Sequence, residues 1–163
     1  MALSGKASFR TAEASQAFRF RWQQNQGAYD IWLWGALGAG RTQIVGTAES
    51  LTITTAPNQT VTGRPSELME QQLGWSVPLE ALGAWLSGSS AQSLPVSARQ
   101  VDDAGRLLGL TQGGWQVEFA NHNRYENQWK PLRITITGAD LELDLVISRP
   151  RPAMERPTRT KDV

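Results

Sequence analysis

Residues 17–24 read Ala-Phe-Arg-Phe-Arg-Trp-Gln-Gln, a stretch in which large apolar side chains alternate with arginines. Phe18, Phe20 and Trp22 therefore fall on one side of an extended chain, and the two arginines between them fall on the other. Alternation with a period of two is typical of an antiparallel strand that buries one face and exposes the other. This stretch predicts a sheet with an apolar inner face.

The same kind of pattern recurs on both sides of this stretch. Further strands are predicted at residues 6–11, 29–34, 43–47, 51–55, 59–62, 105–112, 115–120, 132–137 and 141–148. Nearly all of them follow one another directly, with glycine-containing turns at 113–114 and 138–140. The chain is therefore predicted to be mainly β (α+β), with one large antiparallel sheet of about 9–11 strands.

Two short helices are predicted between the two sets of strands. They span residues 65–73 and 78–87, a proline begins each, and a glycine follows each. In the second helix Leu79, Leu82 and Leu86 recur at helical spacing and form one apolar face. Helices this short are unstable alone in water, so we expect both to pack on the sheet and to cover its concave side.

Composition indicates one folded domain followed by a tail. Of the 163 residues, 40% are hydrophobic, which is enough to bury a core in a single domain over residues 1–148. Residues 149–163 carry five basic side chains against two acidic ones, together with three prolines. We expect this segment to be a basic, proline-rich flexible tail.

Several classes of function are disfavoured by what the sequence contains. The net charge is +1 without a long basic stripe, so nucleic acid is not an expected partner. The chain has no cysteine and one histidine, His122, so neither a metal site nor a cofactor is expected. There is no Gly-x-Ser-x-Gly motif, and Asp102-Asp103 fits a turn better than a catalytic pair. We expect a protein that is not an enzyme and that carries an apolar ligand.

An apolar loop is predicted between the strands at 29–34 and 43–47. Residues 32–40 read Trp-Leu-Trp-Gly-Ala-Leu-Gly-Ala-Gly, without a charged side chain at the predicted tip. An exposed Leu37 forgoes roughly 1.5–3 kcal/mol of burial. The tip therefore either folds back into the core or inserts into a membrane or a partner groove.

Four segments, taken in order along the chain, resemble the LolB family. They are 20–24 (FRWQQ), 35–38 (GALG), 73–82 (LGWSVPLEAL) and 85–88 (WLSG), and the resemblance covers about residues 5–148. It implies a LolA/LolB-like incomplete β-barrel in which the helices form a lid over a hydrophobic cavity for acyl chains. Trp22, Trp85 and Trp115 fall on tryptophan positions that recur in this family.

The resemblance also implies two sets of site residues. The acyl-chain cavity is expected to be lined by Phe18, Phe20, Trp22, Leu68, Leu73, Trp75, Leu79, Leu82, Trp85, Leu86, Trp115 and Val117. The membrane-insertion loop is expected to consist of Trp34, Gly35, Ala36, Leu37 and Gly38, with Leu37 in the position of the family's apolar tip residue.

By this resemblance, the protein is expected to accept acylated lipoproteins from the periplasmic chaperone LolA and to insert them into the outer membrane. Its partners would be the lipoprotein cargo, LolA and outer-membrane lipid, and we expect a monomer. It would act on the periplasmic side of the outer membrane of a Gram-negative bacterium. The family's lipid-bearing cysteine has no counterpart in this sequence, so the chain looks like a soluble form of a lipid-anchored protein.

Three other functions remain open from the sequence. A soluble periplasmic chaperone of the LolA type would have a similar cavity but should lack the exposed loop. A generic carrier of small hydrophobic molecules would copurify with a free small molecule instead of a lipid-modified protein. A purely structural adaptor predicts a dry core and no ligand uptake.

Overall fold

The computed structural model describes residues 1–35, 40–56, 59–138 and 140–148. Within these ranges the strands are β1 (Ala2–Arg10), β2 (Ser15–Asn25), β3 (Ala28–Trp34), β4 (Arg41–Gly46), β5 (Leu51–Ala56), β6 (Gln59–Gly63), β7 (Val96–Val101), β8 (Leu107–Gln112), β9 (Trp115–Ala120), β10 (Asn123–Tyr125), β11 (Gln128–Lys130), β12 (Arg133–Gly138) and β13 (Leu141–Ile147). The helices α1 (Pro65–Leu73) and α2 (Leu79–Leu86) lie between β6 and β7 in the chain.

Eleven of these strands form one antiparallel sheet. Their order is β6-β5-β4-β3-β2-β1-β13-β12-β9-β8-β7. The first and last strands of the chain pair at its centre, where Ala7 lies opposite Leu145 and Phe9 lies opposite Leu143. Strands β6 and β7 are the two ends of this order and do not pair with each other in the described ranges. The sheet is therefore not closed, and the prediction of an incomplete β-barrel with about 9–11 strands is confirmed.

Period-two alternation sets the two faces of the sheet. Along β2 and β13 every second side chain is buried, and the residues between them are exposed or half-buried. The buried face carries an aromatic cluster in which the rings of Phe9 and Phe18 lie 5.6 and 6.3 Å from the ring of Trp75. Trp75 belongs to the segment between the helices, so this cluster joins the lid to the sheet.

Both helices cover the buried face, as the sequence predicts. α1 packs against β5 and β6, and its buried side chains are Leu68, Met69 and Leu73. It ends at Gly74, which has a φ of 82° and donates its backbone N–H to the carbonyl of Glu70 at 3.1 Å. A positive φ is open to glycine at little cost. α2 is apolar around most of its circumference and is mostly buried.

Some elements differ from their predicted extent. β1 begins at Ala2 and not at residue 6, and β8 begins at Leu107 because Gly105, with a φ of 82°, still belongs to the preceding turn. The polar segment after His122, for which no strand is predicted, contains the two-stranded ribbon β10-β11. Its turn residues Glu126 and Asn127 both have a positive φ, which matches the tight hairpin turn that suits strand twist.

Strand β7 was missed at the sequence level. All six of its residues are exposed, so the strand has no buried face and no alternation of apolar with polar residues. It is held by pairing with β8, with register shifts near both of its ends. Such irregular edges are a common feature of exposed edge strands.

Candidate functional site

The apolar interior lies between the buried face of the sheet and the two helices. Every side chain around it is apolar, and its lining is Phe18, Phe20, Trp22, Ile31, Leu33, Ile44, Met69, Trp75, Val77, Leu79, Leu82, Leu143 and Leu145. Strands β2, β3, β4 and β13 contribute the floor, while the helices and the segment joining them contribute the roof. Such a lining can hold hydrocarbon but offers no group for acid–base or metal chemistry.

The space inside this interior is small. Its volume is about 30 Å³, whereas cavities that hold drug-sized ligands have roughly 300–1,000 Å³. The roof residues Met69, Trp75 and Leu79 are all at most 7% exposed. The structure is therefore a closed form, and an acyl chain can enter only if the roof moves away from the sheet.

Half of the predicted cavity residues line this interior. These are Phe18, Phe20, Trp22, Trp75, Leu79 and Leu82. The others do not line it, although Leu68, Leu73, Trp85, Leu86 and Val117 are buried in the same core. Trp115 is half-buried and lies beside Trp85, with 6.4 Å between the two ring centroids. The structure thus extends the apolar core beyond the closed interior, toward β8 and β9.

The sequence prediction also missed several lining residues. They are Ile31, Leu33, Ile44, Met69, Val77, Leu143 and Leu145. In β3 and β13 the buried positions alternate with exposed or half-buried ones, so the same period-two pattern that selected the β2 residues was available there. Met69 and Val77 carry no comparable pattern, because α1 and the segment after it are too short to show one.

A buried glutamine joins α2 and the segment after it to the sheet. Gln112, at the end of β8, is 0% exposed and accepts hydrogen bonds from Trp85 Nε1 and from the Ala91 backbone N–H, both at 3.0 Å. Its amide nitrogen donates to the carbonyls of Leu94, at 2.9 Å, and of Ala91. The sequence analysis did not single out Gln112, although it shares one face of β8 with the buried Leu110. Its burial shows that α2 is fixed to the sheet by hydrogen bonds.

α1 lacks this kind of attachment in the described part of the chain. No side chain of α1 forms a hydrogen bond there. Arg64, the N-cap residue just before the helix, provides no side-chain cap. Its buried side chains contact the sheet through apolar atoms alone. α1 is therefore the less firmly held half of the roof, because apolar contacts have no fixed direction.

The rim of the interior is formed where α2 approaches β2. A Cβ atom at Gly83 would lie 2.5 Å from the side-chain oxygen of Gln24, and that oxygen accepts a hydrogen bond from Trp22 Nε1 at 3.3 Å. Tyr29 lies edge-on to Trp22, with ring centroids 5.7 Å apart. Burial raises the pKa of the Tyr29 hydroxyl, and the carboxylate of Glu80 raises it further. The Tyr29 hydroxyl is therefore neutral at ordinary pH.

The base of the predicted membrane-insertion loop lies at the end of β3. Trp34 is 36% exposed, and Gly35 has a φ of 86°. The Gly35 backbone N–H donates to the Gly40 carbonyl at 3.2 Å, and the Gln16 side chain donates to the Gly35 carbonyl. The remaining predicted loop residues, Ala36, Leu37 and Gly38, lie outside the described residues.

A separate polar cleft lies beside the end of α2. Its volume is about 520 Å³, and Arg99, His122 and Lys130 are among its lining residues. His122 Nε2 lies 3.2 Å from the Leu107 carbonyl. The Asp102 carboxylate accepts the Arg106 backbone N–H at 2.9 Å, which lowers its pKa and closes the turn predicted from the sequence. This cleft is too polar to hold acyl chains.

Comparison with known families matches nearly the whole chain to one family. The family model described as "Outer membrane lipoprotein LolB" matches residues 1–149. The outer-membrane lipoprotein LolB of Chromohalobacter salexigens is 36% identical over 149 residues, which are 90% of this chain and 68% of that protein. The outer-membrane lipoprotein LolB of Pseudomonas fluorescens is 34% identical over 146 residues, which are 89% of this chain and 71% of that protein.

Solved structures with a similar fold have low sequence identity to this chain. A LolA superfamily protein from Nitrosomonas europaea superimposes with a TM-score of 0.55 at 11% identity, covering 93% of this chain and 86% of the other. A putative outer-membrane lipoprotein-sorting protein domain from Vibrio parahaemolyticus gives a TM-score of 0.56 at 12% identity, covering 94% and 85%. Identity this low supports the fold alone, and the fold agrees with the LolA/LolB-like prediction.

Proposed function

The chain belongs to the outer-membrane lipoprotein LolB family, with a role in outer-membrane lipoprotein localisation, and we propose that it is a carrier. It accepts acylated lipoproteins from a LolA-type periplasmic chaperone and inserts them into the outer membrane. The acyl chains enter the apolar interior, and the polypeptide of the cargo stays outside. The carrier works as a monomer on the periplasmic side of the outer membrane in a Gram-negative bacterium, anchored there by lipid in its native form. It catalyses no reaction and needs no cofactor.

One observation carries this proposal: the interior between sheet and helices is lined by apolar side chains alone. Each methylene buried there gains about 0.8 kcal/mol, so several long acyl chains gain tens of kcal/mol of gross burial. Release of these chains into water would be very slow. Transfer therefore proceeds from one apolar site directly to the next, first from chaperone to carrier and then from carrier to bilayer.

Entry of acyl chains requires the roof to open, because the closed interior holds only about 30 Å³. α2 is tied to β8 through Gln112, whereas α1 is held by apolar contacts. Those contacts can be exchanged for equally apolar contacts with the cargo at little net cost. We therefore assign the opening movement to α1, which moves away from the edge of the sheet on which it packs.

Delivery to the membrane is assigned to the loop between β3 and β4. Its residues 36–39 read Ala-Leu-Gly-Ala and carry no charge, which suits insertion among acyl chains of a bilayer. Leu37 is the largest apolar residue of this tip. A LolA-type chaperone without such a loop would release cargo to the next carrier and not to a membrane.

A structural adaptor is the second candidate, and the nearly filled interior favours it. An adaptor needs only a packed core, and the closed form has one. The two functions differ in whether hydrocarbon enters the interior. Two of the seven tryptophans, Trp22 and Trp75, line that interior and can report the entry.

The test uses a synthetic lipopeptide whose acyl chains carry bromine, which quenches tryptophan fluorescence on contact. We expect the wild-type protein to be quenched, and the double variant Trp22→Phe/Trp75→Phe to lose most of the quenched signal. The matched control is Trp129→Phe, which removes a tryptophan that is 45% exposed and should leave the quenched signal intact. Absence of quenching in the wild type, or equal quenching in the double variant, would favour the adaptor.

The loop is tested in the same preparation. Leu37→Glu should accept the lipopeptide with unchanged quenching, because Trp22 and Trp75 remain in place in the interior, yet fail to transfer it to liposomes. A charged residue at the bilayer centre costs several kcal/mol, so insertion of the tip becomes unfavourable. The control is Leu37→Met, which keeps the apolar tip and should transfer as the wild type does.

A further inference from the structure

The outer face of the sheet carries a compact group of cations and tryptophans next to the predicted loop. Residues that lie opposite each other in antiparallel strands share one face. In the registers of β1–β4, one row runs across four neighbouring strands through Lys6, Arg19, Trp34 and Arg41. The next row pairs Arg21 with Trp32. We call these six residues the Arg–Trp patch.

The cations of this patch are available to a ligand. Lys6, Arg19, Arg21 and Arg41 are all exposed. The two ion pairs in the described part of the chain are Arg106–Asp102 and Arg133–Asp144, so neither includes a patch cation.

Acidic groups do little to neutralise these cations. Strands β1–β4 contain one acidic residue, Asp30, and its carboxylate accepts a hydrogen bond from the Gln43 side chain at 3.1 Å. The patch is therefore locally positive, although the whole chain is nearly neutral.

The two tryptophans make this surface unusual for one that faces water. Trp32 and Trp34 are stacked, with 6.4 Å between their ring centroids and 19° between their planes. The Arg41 guanidinium lies over the Trp32 ring, 5.7 Å from its centroid, in cation–π geometry. Trp34 still exposes 36% of its surface. Indole rings with this environment concentrate where hydrocarbon meets polar headgroups.

The Arg–Trp patch lies next to the two ends of the loop between β3 and β4. Trp34 ends β3 and Arg41 begins β4, so the loop at 35–40 leaves the sheet from the end of the patch. The Gln16 side chain, which comes from β2, donates to the Gly35 carbonyl and holds the base of the loop beside the patch. Any surface that the loop tip enters is therefore brought near Arg19 and Arg41.

We propose that the Arg–Trp patch binds the phosphate groups of anionic phospholipids and holds this face against the membrane while the loop inserts. Guanidinium groups bind phosphate through paired hydrogen bonds, and the stacked indoles occupy the interfacial layer. Tryptophans at this site favour a lipid surface over an acidic protein, which would need the cations alone. The inference rests on the proposed function, since it assumes that the protein delivers its cargo to a membrane.

The test is cosedimentation with vesicles of phosphatidylethanolamine and phosphatidylglycerol, compared with vesicles of phosphatidylethanolamine and phosphatidylcholine. We expect tighter binding of the wild type to the anionic vesicles, with a loss at high salt. The triple variant Arg19→Gln/Arg21→Gln/Arg41→Gln should bind the anionic vesicles about 10- to 100-fold more weakly, because each cation near an anionic surface contributes up to about fivefold.

The matched control removes the same charge elsewhere, by Arg64→Gln/Arg99→Gln/Arg124→Gln, and should retain most of the wild-type binding. Equal binding by the two triple variants would overturn the patch proposal, and so would a wild type that does not distinguish the two vesicles.

Lipopeptide quenching separates this result from the proposed function. The patch variant should accept lipopeptide normally, because its changes lie on the opposite face from the interior. A wild type that accepts no lipopeptide contradicts the carrier function, whatever its vesicle binding.

Discussion

Gln112 forms hydrogen bonds with four backbone and side-chain groups, and three of these bonds are buried. It binds Trp85 Nε1, the Ala91 N–H and the carbonyls of Ala91 and Leu94. A buried donor or acceptor that loses its partner costs roughly 1–3 kcal/mol. The hydrogen bonds of this one side chain therefore stabilise the attachment of α2, and of the segment after it, to the sheet.

Replacing this amide is predicted to destabilise the fold. Gln112→Leu keeps the volume but leaves those groups unpaired, and we expect unfolding in urea to require about 3 kcal/mol less free energy than in the wild type. Gln100→Leu changes an exposed glutamine of β7 and should stay within about 0.5 kcal/mol of the wild type. Equal stability of the two variants would show that the hydrogen bonds to Gln112 contribute nothing.

At the residue scale, the sequence predicted the inner face of β2 completely. Phe18, Phe20 and Trp22 line the interior because alternation forces them to one side of the strand. It could not identify Gln112, since burial of a polar residue depends on partners that are distant in the sequence. Trp85 and Val117 are buried in the same core but do not line the closed interior, because apolar character predicts burial but not which part of a core a residue lines. Their contact with acyl chains stays a prediction.

The two helices differ in how they are held, and this difference predicts which one moves. α2 is joined to β8 by hydrogen bonds through Gln112, whereas α1 follows directly on the edge strand β6. All but the last residue of β6 are exposed. An edge strand is paired on one side only, so α1 can move away from β6 without breaking the centre of the sheet.

A disulfide should prevent this movement. A Cβ atom at Gly63 would lie 3.9 Å from the Cβ of Leu68, which is within the usual disulfide range of about 3.5–4.5 Å. Gly63→Cys/Leu68→Cys would fix the start of α1 against β6. We expect the oxidised variant to lose quenching by the brominated lipopeptide, and a reducing agent to restore it.

This sequence contains no other cysteine, so the introduced pair is the only pair of thiols that the oxidant can join within this chain. Leu68→Cys alone, treated with the same oxidant, controls for the loss of a buried leucine and should respond identically before and after reduction. Undiminished uptake by the oxidised double variant would contradict the assignment of α1 as the moving part.

At the element scale, prediction succeeded where a buried face leaves a pattern. The helices were found at their observed positions because proline and glycine mark their ends and leucines mark the face of α2. β7 was missed because it has no buried side chain. The ribbon β10-β11 was missed because its positive-φ turn is formed by Glu126 and Asn127 without a glycine.

At the scale of the whole molecule, the pairing of β1 with β13 distributes stability unevenly. The first and last strands of the chain meet at the centre of the sheet, and each has a partner on both sides. β6 and β7 form the two ends and have one partner each. Local opening is expected to begin at such ends.

Native-state hydrogen exchange should show this gradient. We expect the slowest backbone amides in β1, β2 and β13, and faster exchange in β6, α1 and β7, which can open without global unfolding. Mass spectrometry of peptides after labelling would measure it. α1 amides as protected as those of β13 would be evidence against a roof that opens at that end.

The overall architecture and the role in outer-membrane lipoprotein localisation could be expected from the sequence, because four ordered segments resemble one family. The closed state of the interior could not be expected, since its volume depends on how the roof packs. The Arg–Trp patch was also not predicted. Its arginines looked like the ordinary solvated face of a strand until cross-strand register placed them beside Trp32 and Trp34.

The unclosed sheet has a consequence for the range of cargo. When a sheet closes into a barrel, the number and stagger of its strands fix the internal width. Such a protein accepts ligands of one size. In the part of the chain that the structure describes, the ends β6 and β7 do not pair with each other, so the internal width can adapt to the ligand. The proposed carrier would therefore serve clients whose fatty chains differ in number and length, at the expense of discriminating among them.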